Sequence, residues 1–250
     1  AGYGGTVVAT RCTAHNTAYT VGGCTPCGTG KYQHLNTAAD TTVVCQTCAK
    51  GKAFTDRNVA CASCANGQYQ DQIGVVAVQC KACSAGKYSD AGESQTAESV
   101  CQACAPGKFS IAGESQTAES VCTACAPGTY SDAGASQTTD SVCKSCQAGK
   151  YQNSLASTEC KACASGKFSE AGESQTTESA CKPCPAGKYQ NAIASTECKA
   201  CASGKFSDAG ESQTSSSACQ VCADGTYTLV QASTQCRFCD AGFAFTSTNT

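Results

Sequence analysis

The sequence predicts a small disulfide-rich fold: an elongated, rod-like array of about 12 tandem single-disulfide units, mostly irregular with short β ribbons and no continuous core. Three observations carry this expectation. Cysteine makes up 25 of 250 residues, the density of a disulfide scaffold. Cys-x-x-Cys recurs twelve times, and recurrence at a fixed period marks a repeat architecture. Large apolar side chains are scarce, with three Leu, three Ile, seven Phe and neither Trp nor Met; burying so few around one core cannot offset the chain entropy of folding.

The repeat can be measured. The pairs start at Cys24, Cys45, Cys61, Cys80, Cys101, Cys122, Cys143, Cys160, Cys181, Cys198, Cys219 and Cys236, and the steps between them run from 16 to 21 residues. From Cys125 onward long and short units alternate, giving a 38-residue double repeat that returns at Cys163, Cys201 and Cys239. Three residues after the second Cys of every pair stands a Gly, from Gly30 to Gly242. A Gly at one offset predicts a turn that needs positive φ or close backbone approach. Tyr or Phe follows two residues later in ten units, as in Tyr88, Phe109 and Tyr130, and one place further at Phe54 and Phe245. Each unit therefore owns one aromatic, the natural lid for its own disulfide. The long units add a second turn, "SDAGESQT" or a variant. The pattern predicts a two-stranded ribbon with turns in each unit, and no helix.

Along the chain the predicted order is an N-terminal cap over 1–26, eleven tandem repeats over 27–236, and a truncated last repeat with a polar tail over 237–250. Sequence alone leaves the connectivity of so many thiols open. The simplest scheme that treats every unit alike joins the second Cys of one pair to the first of the next. It pairs Cys27 with Cys45, Cys48 with Cys61, Cys64 with Cys80, Cys83 with Cys101, Cys104 with Cys122 and Cys125 with Cys143. It continues with Cys146 and Cys160, Cys163 and Cys181, Cys184 and Cys198, Cys201 and Cys219, and Cys222 and Cys236. Cys12 then takes Cys24, and Cys239 is left unpaired or intermolecular.

Cys-x-x-Gly-x-aromatic followed by a closing Cys-x-x-Cys resembles the single-disulfide module that opens tumour-necrosis-factor-receptor cysteine-rich domains and recurs in ephrin-receptor-like repeats. The resemblance covers residues 24 to 245 and implies the same bond, from the Cys before the Gly to the Cys that closes the unit. Tandem arrays of this style are also similar to the immobilisation antigens of ciliates, which implies an abundant, lipid-anchored surface protein. One disulfide contributes about 3 kcal/mol to such a loop, against roughly 30 kcal/mol of entropy for ordering about 20 residues. Units of this size must therefore lean on their neighbours, as solenoid repeats do.

Other chemistries fit poorly. Four thiolates at Cys-x-x-Cys spacing could hold zinc, but the pairs run on without partition into fours, and His15 and His34 precede the main array. Redox Cys-x-x-Cys belongs on a βαβ turn, and no apolar parallel strand is present. Neither Gly-x-Ser-x-Gly nor His-Glu-x-x-His occurs. Asp90, Glu93 and Glu98 of a long loop could gather calcium, although a polar turn beside an exposed Glu accounts for them. Lys follows the turn Gly in eight units and reads as a solubilising row. With 17 basic and 19 acidic residues interspersed, no basic stripe marks nucleic acid. No apolar run reaches the roughly 20 residues that span a bilayer.

The expectation is a non-enzymatic, extracellular structural or surface-coat protein without cofactors, whose partners are neighbouring copies of itself. The start at Ala1 reads as a processed N-terminus, and the small polar C-terminus fits either a truncated chain or removal of a lipid-anchor signal. A self-assembling filament subunit and a ligand-binding receptor ectodomain are the alternatives.

Overall fold

The computed structural model describes residues 27–33, 45–57 and 59–243. Among these residues the chain forms eleven two-stranded antiparallel ribbons, each strand two residues long. Disulfides divide it into modules that we number along the chain. Module 1 is Cys27–Cys45, module 2 Cys48–Cys61, module 3 Cys64–Cys80 and module 4 Cys83–Cys101. Module 5 spans residues 104–122, with Cys104 and Cys122 both disulfide-bonded. Modules 6 to 9 are Cys125–Cys143, Cys146–Cys160, Cys163–Cys181 and Cys184–Cys198. Modules 10 and 11 are Cys201–Cys219 and Cys222–Cys236. Cys239 carries a free thiol, while Cys12 and Cys24 lie outside the described residues.

The ribbon follows from local chemistry. After the opening Cys comes a four-residue turn whose third position is the repeat Gly, closed in module 5 by the Lys108 amide donating to the Ala105 carbonyl at 3.0 Å. Gly107 has φ of +79°, and Pro106 precedes it, the arrangement of a type II turn. The turn releases the chain into the first strand, Lys-aromatic, which pairs with the two residues between the next Cys pair. Thus Tyr88 lies opposite Gln102 and Lys87 opposite Ala103. A strand this short suffices because a disulfide fixes the segment just before it and the Cys104 amide donates to the Gly86 carbonyl at its far end.

Long and short modules differ in how they return. Modules 4, 5, 6, 8 and 10 place one turn of 3-10 helix before the closing Cys, at Glu98–Val100, Glu119–Val121, Asp140–Val142, Glu178–Ala180 and Ser216–Ala218. The ribbon pattern does not announce these turns. They arise where the last residues tighten into i to i+3 bonds, such as the Cys101 amide to the Glu98 carbonyl at 2.9 Å, because the closing Cys must be turned back toward its partner.

The modules gather into two compact groups. Among the described residues, one comprises those of 27–104 with Ser110–Val121, the other Ala105–Phe109 with 122–243. Within each, stacking follows one rule. The aromatic strand makes a parallel bridge to a Gln or Ser in the loop of the next module: Tyr69 to Gln95 in the first group, and Tyr151 to Gln175, Tyr189 to Gln213 and Phe206 to Ser233 in the second. That same loop holds a residue at positive φ, Ser or Ala rather than Gly, whose amide donates to the opening Cys of the preceding module. Ser174 donates to Cys146 and Ser212 to Cys184, each at 2.8 Å.

The carbonyl of this residue then lies over the turn Gly two modules back. A Cβ on Gly166 would stand 2.4 Å from the Ser212 oxygen, and one on Gly128 2.5 Å from the Ser174 oxygen. The same contact joins Gly51 to Ser94 and Gly67 to Ser115 in the first group. Each such loop is therefore braced on both of the two modules before it.

Among the described residues there is no continuous core. The opening Cys of each pairing is almost fully buried in modules 2 to 10, and beside these sulfurs few large side chains are enclosed, among them Tyr69, Tyr88 and Val78. The aromatic is not a lid on its own disulfide alone. Around Cys48 and Cys61 gather Tyr32 of module 1, Phe54 of module 2 and Val78 of module 3, because stacking brings three modules to one sulfur pair.

Candidate functional site

The chemistry-bearing side chains are spent on the repeat itself. In modules 1 to 4 and 6 to 11 the bonded Cα atoms lie 5.4–5.8 Å apart, the ordinary disulfide span. Joined in this way, these sulfurs present no thiolate for metal or nucleophilic chemistry.

The residue after the aromatic turns inward. From module 3 to module 11 it is Ser in modules 4, 5, 6, 8 and 10 and Gln or Thr in the short modules 3, 7, 9 and 11, buried in every case; in module 2 the equivalent Thr55 is exposed. In modules 7 and 9 the Gln satisfies itself locally. The Gln190 amide nitrogen donates to the Glu197 carbonyl at 2.7 Å, and its oxygen accepts from the Ala192 amide at 3.0 Å; Gln152 makes the equivalent pair with Glu159 and Ser154. Both bonds hold the short loop in the shape that the 3-10 turn gives the long one. Gln70 of module 3 is equally buried without either bond.

A second polar pattern runs along the ribbons. The first residue between paired cysteines reaches across to the residue two past the aromatic. Lys81 meets Asp71 at 2.8 Å, Lys144 meets Asp132 at 2.7 Å and Lys182 meets Glu170 at 2.8 Å. Where the acid is replaced by Asn, Lys161 and Lys199 donate to Asn153 and Asn191, each at 2.7 Å. Where Lys is replaced by Gln, the Gln102 amide donates to Asp90 at 3.1 Å. The hydrogen bond from Lys81 holds the Asp71 carboxyl below its usual range, and Lys144 and Lys182 do the same for Asp132 and Glu170. Superposing the units residue by residue carries this signal in the sequence: Lys in Cys-Lys-x-Cys accompanies Asp, Glu or Asn at the facing position.

The lysines after the turn Gly are drawn into the same economy. Lys167 approaches Glu178 of its own 3-10 turn at 3.3 Å, and Lys87 approaches Glu98 at 3.8 Å. The Glu98 carboxylate also faces the Tyr69 phenol; burial first, and then this negative charge, push the phenol up from its ordinary value. Glu98 is therefore turned toward Lys87 and Tyr69, and Asp90 toward Gln102. The loop carboxylates do not converge as a calcium site requires, and no group of three or more metal-binding side chains occurs among the described residues. Among those residues no helix is long and apolar enough to cross a membrane.

The family model described as tyrosine-protein kinase ephrin type A/B receptor-like matches residues 51–99 and 172–217. These stretches run from the turn Gly of module 2 into the 3-10 turn of module 4, and from the loop of module 8 into the 3-10 turn of module 10. No curated protein matches the chain. Disulfides at this density persist in oxidising surroundings and not in the cytosol, which makes this an extracellular disulfide-rich protein. Its cysteine-rich units, one disulfide and one ribbon each, are repeats similar to those of the ephrin-receptor-like family.

Proposed function

We propose that the protein is a non-catalytic structural component of a cell-surface coat, built so that copies pack side by side and attached to the membrane through a C-terminal lipid. The observation that supports this reading best is the repeated internal pairing of polar groups. Lys144–Asp132 and Lys182–Glu170 occupy equivalent places in different modules, and modules 3, 4 and 6 to 9 so present similar, mutually satisfied ribbon surfaces. An enzyme or a dedicated receptor concentrates its unpaired chemistry at one place; a coat repeats a neutral surface.

Phosphatidylinositol-specific phospholipase treatment of native cells, followed by intact mass measurement and negative-stain microscopy of the released material, tests the proposal. Release of the chain with a residual glycolipid mass, together with ordered side-by-side assemblies before treatment, is the expected outcome. A chain secreted free of lipid and monomeric at millimolar concentration contradicts it.

A further inference from the structure

The regular surface breaks down in the last modules. The second residue between paired cysteines is Ala, Ser, Thr or Pro from Pro26 to Ala200, and then becomes Val221 and Phe238. Both side chains stand in solvent, 59% and 77% exposed. Leu229 and Val230 stand two and three residues past the aromatic, where most earlier modules carry an Asp-Ala, Glu-Ala or Asn-Ser type of pair, and they too are exposed. Exposed large apolar side chains also stand in earlier modules, as Ile73, Ile111, Leu155 and Ile193. What is confined to the last two pairs is a large apolar side chain at this place between the cysteines, and Val221 lines an open groove, the setting of an interaction surface.

An open groove of about 540 Å³ lies between modules 10 and 11, lined by Phe206, Asp208, Gln220, Val221 and Thr226 among others. Phe238 is the cross-strand partner of Thr226, which is one of the lining residues. Asp208 holds the position that Asp132 holds in module 6 and Glu170 in module 8. In those modules a lysine from the facing strand brings its ammonium to 2.7–2.8 Å of the carboxylate. In module 10 the facing residue is Gln220, and Asp208 makes no ion pair or side-chain hydrogen bond among the described residues.

We infer that this groove docks a lysine-bearing segment of a partner protein, its ammonium on Asp208 and its apolar flanks against Phe206, Val221 and Phe238. The charge complementarity is supplied by the molecule itself, since modules 6 and 8 show an aliphatic stem with a terminal ammonium filling the equivalent place. The inference stands on modules 10 and 11 and does not depend on the coat reading.

The test uses the whole oxidised chain and two synthetic probes, acetyl-Leu-Lys-Leu-amide and its norleucine counterpart, with binding read from the amide NMR shifts of Val221 and Thr226. The lysine peptide is expected to shift both signals, and the norleucine peptide to bind at least fivefold more weakly. A fivefold change corresponds to about 1 kcal/mol, the upper range for an exposed ion pair. Asp208→Asn removes the carboxylate and Gln220→Lys supplies the missing internal ammonium. Each is expected to weaken the lysine peptide at least fivefold, while the circular dichroism spectrum is retained. Equal binding of the two peptides, indifference to Gln220→Lys, or shifts confined to other modules overturns the inference. So does concentration-dependent self-association that Val221→Ala abolishes, which assigns the surface to a second copy.

Discussion

At the scale of single residues, two kinds of backbone outlier meet at each stacking contact. The turn Gly of one module and the Ser or Ala of the loop two modules on are both at positive φ, +80° at Gly166 and +60° near Ser212 and its equivalents. For Gly this conformation carries no steric penalty; for Ser or Ala it costs roughly 1–2 kcal/mol, tolerated because the amide and the carbonyl are both engaged by earlier modules. The contact makes a sharp comparison available. Gly166→Ala adds a methyl 2.4 Å from the Ser212 oxygen, whereas Gly210→Ala, at φ of +79°, meets nothing within 4 Å. Both pay the left-handed strain of about 1–2 kcal/mol, and only the first must also push a backbone aside. Guanidinium unfolding is expected to show Gly166→Ala more destabilised than Gly210→Ala by at least about 1 kcal/mol; equal losses would mean that the stacking contact is absent.

The buried Gln side chains give a second contrast. Gln190→Leu strips partners from the Glu197 carbonyl and the Ala192 amide, a loss of about 1–3 kcal/mol. Gln70→Leu strips none and is expected to be neutral or stabilising in the same measurement. These details were unevenly legible beforehand. The turn at the repeat Gly could be read because only Gly recurs there, from Gly30 to Gly242. The left-handed residues could not, since Ser174 and Ala194 are chemically ordinary and take their conformation from the modules they touch.

At the scale of the element, a ribbon of two-residue strands is far below what holds together in water by itself. Its closing disulfide contributes about 3 kcal/mol, and the facing Lys–carboxylate pairs add to it modestly because they are exposed. Their pH dependence has a definite sign. Asp71, Asp132 and Glu170 are held below their ordinary values of 3.8 and 4.5, so their contribution is complete above those values and is lost as pH falls through the lowered ones. Lys81 and Lys144 are raised above 10.5; their contribution is complete below that value and is lost as pH rises through the raised one. From these groups the thermal midpoint is therefore expected to be flat between about pH 5 and about pH 10 and to fall on either side, and Glu170→Gln should abolish part of the acid-side fall. A midpoint that rises on acidification below pH 4 would contradict the pairing. The ribbons were legible from spacing, and the 3-10 turns were not, because "AESV" and "TESA" carry neither a helical period nor a cap.

At the scale of the whole molecule, each loop rests on two earlier modules, so damage should spread over a few modules and then stop. Cys163→Ser with Cys181→Ser opens module 8, a loss of about 2–5 kcal/mol for a disulfide in so small a unit. Module 8 braces on Cys146 and Gly128 and in turn carries Ser212 on Gly166. Native-state hydrogen exchange should accordingly lose protection in modules 6 to 10 and keep it in modules 2 to 4; uniform loss would mean that the chain behaves as one cooperative body. Stacking to the second neighbour was not legible in the sequence, where long and short units show only as an alternation of spacing.

All of this depends on which sulfurs are joined. Mass-spectrometric peptide mapping of the native, non-reduced chain measures that directly. The account predicts peptides linked through Cys146 and Cys160, Cys163 and Cys181, and Cys184 and Cys198, as in the bonded modules. Bonds closed within a Cys-x-x-Cys pair, such as Cys160 to Cys163, or free thiols recovered with stoichiometric zinc, would contradict it.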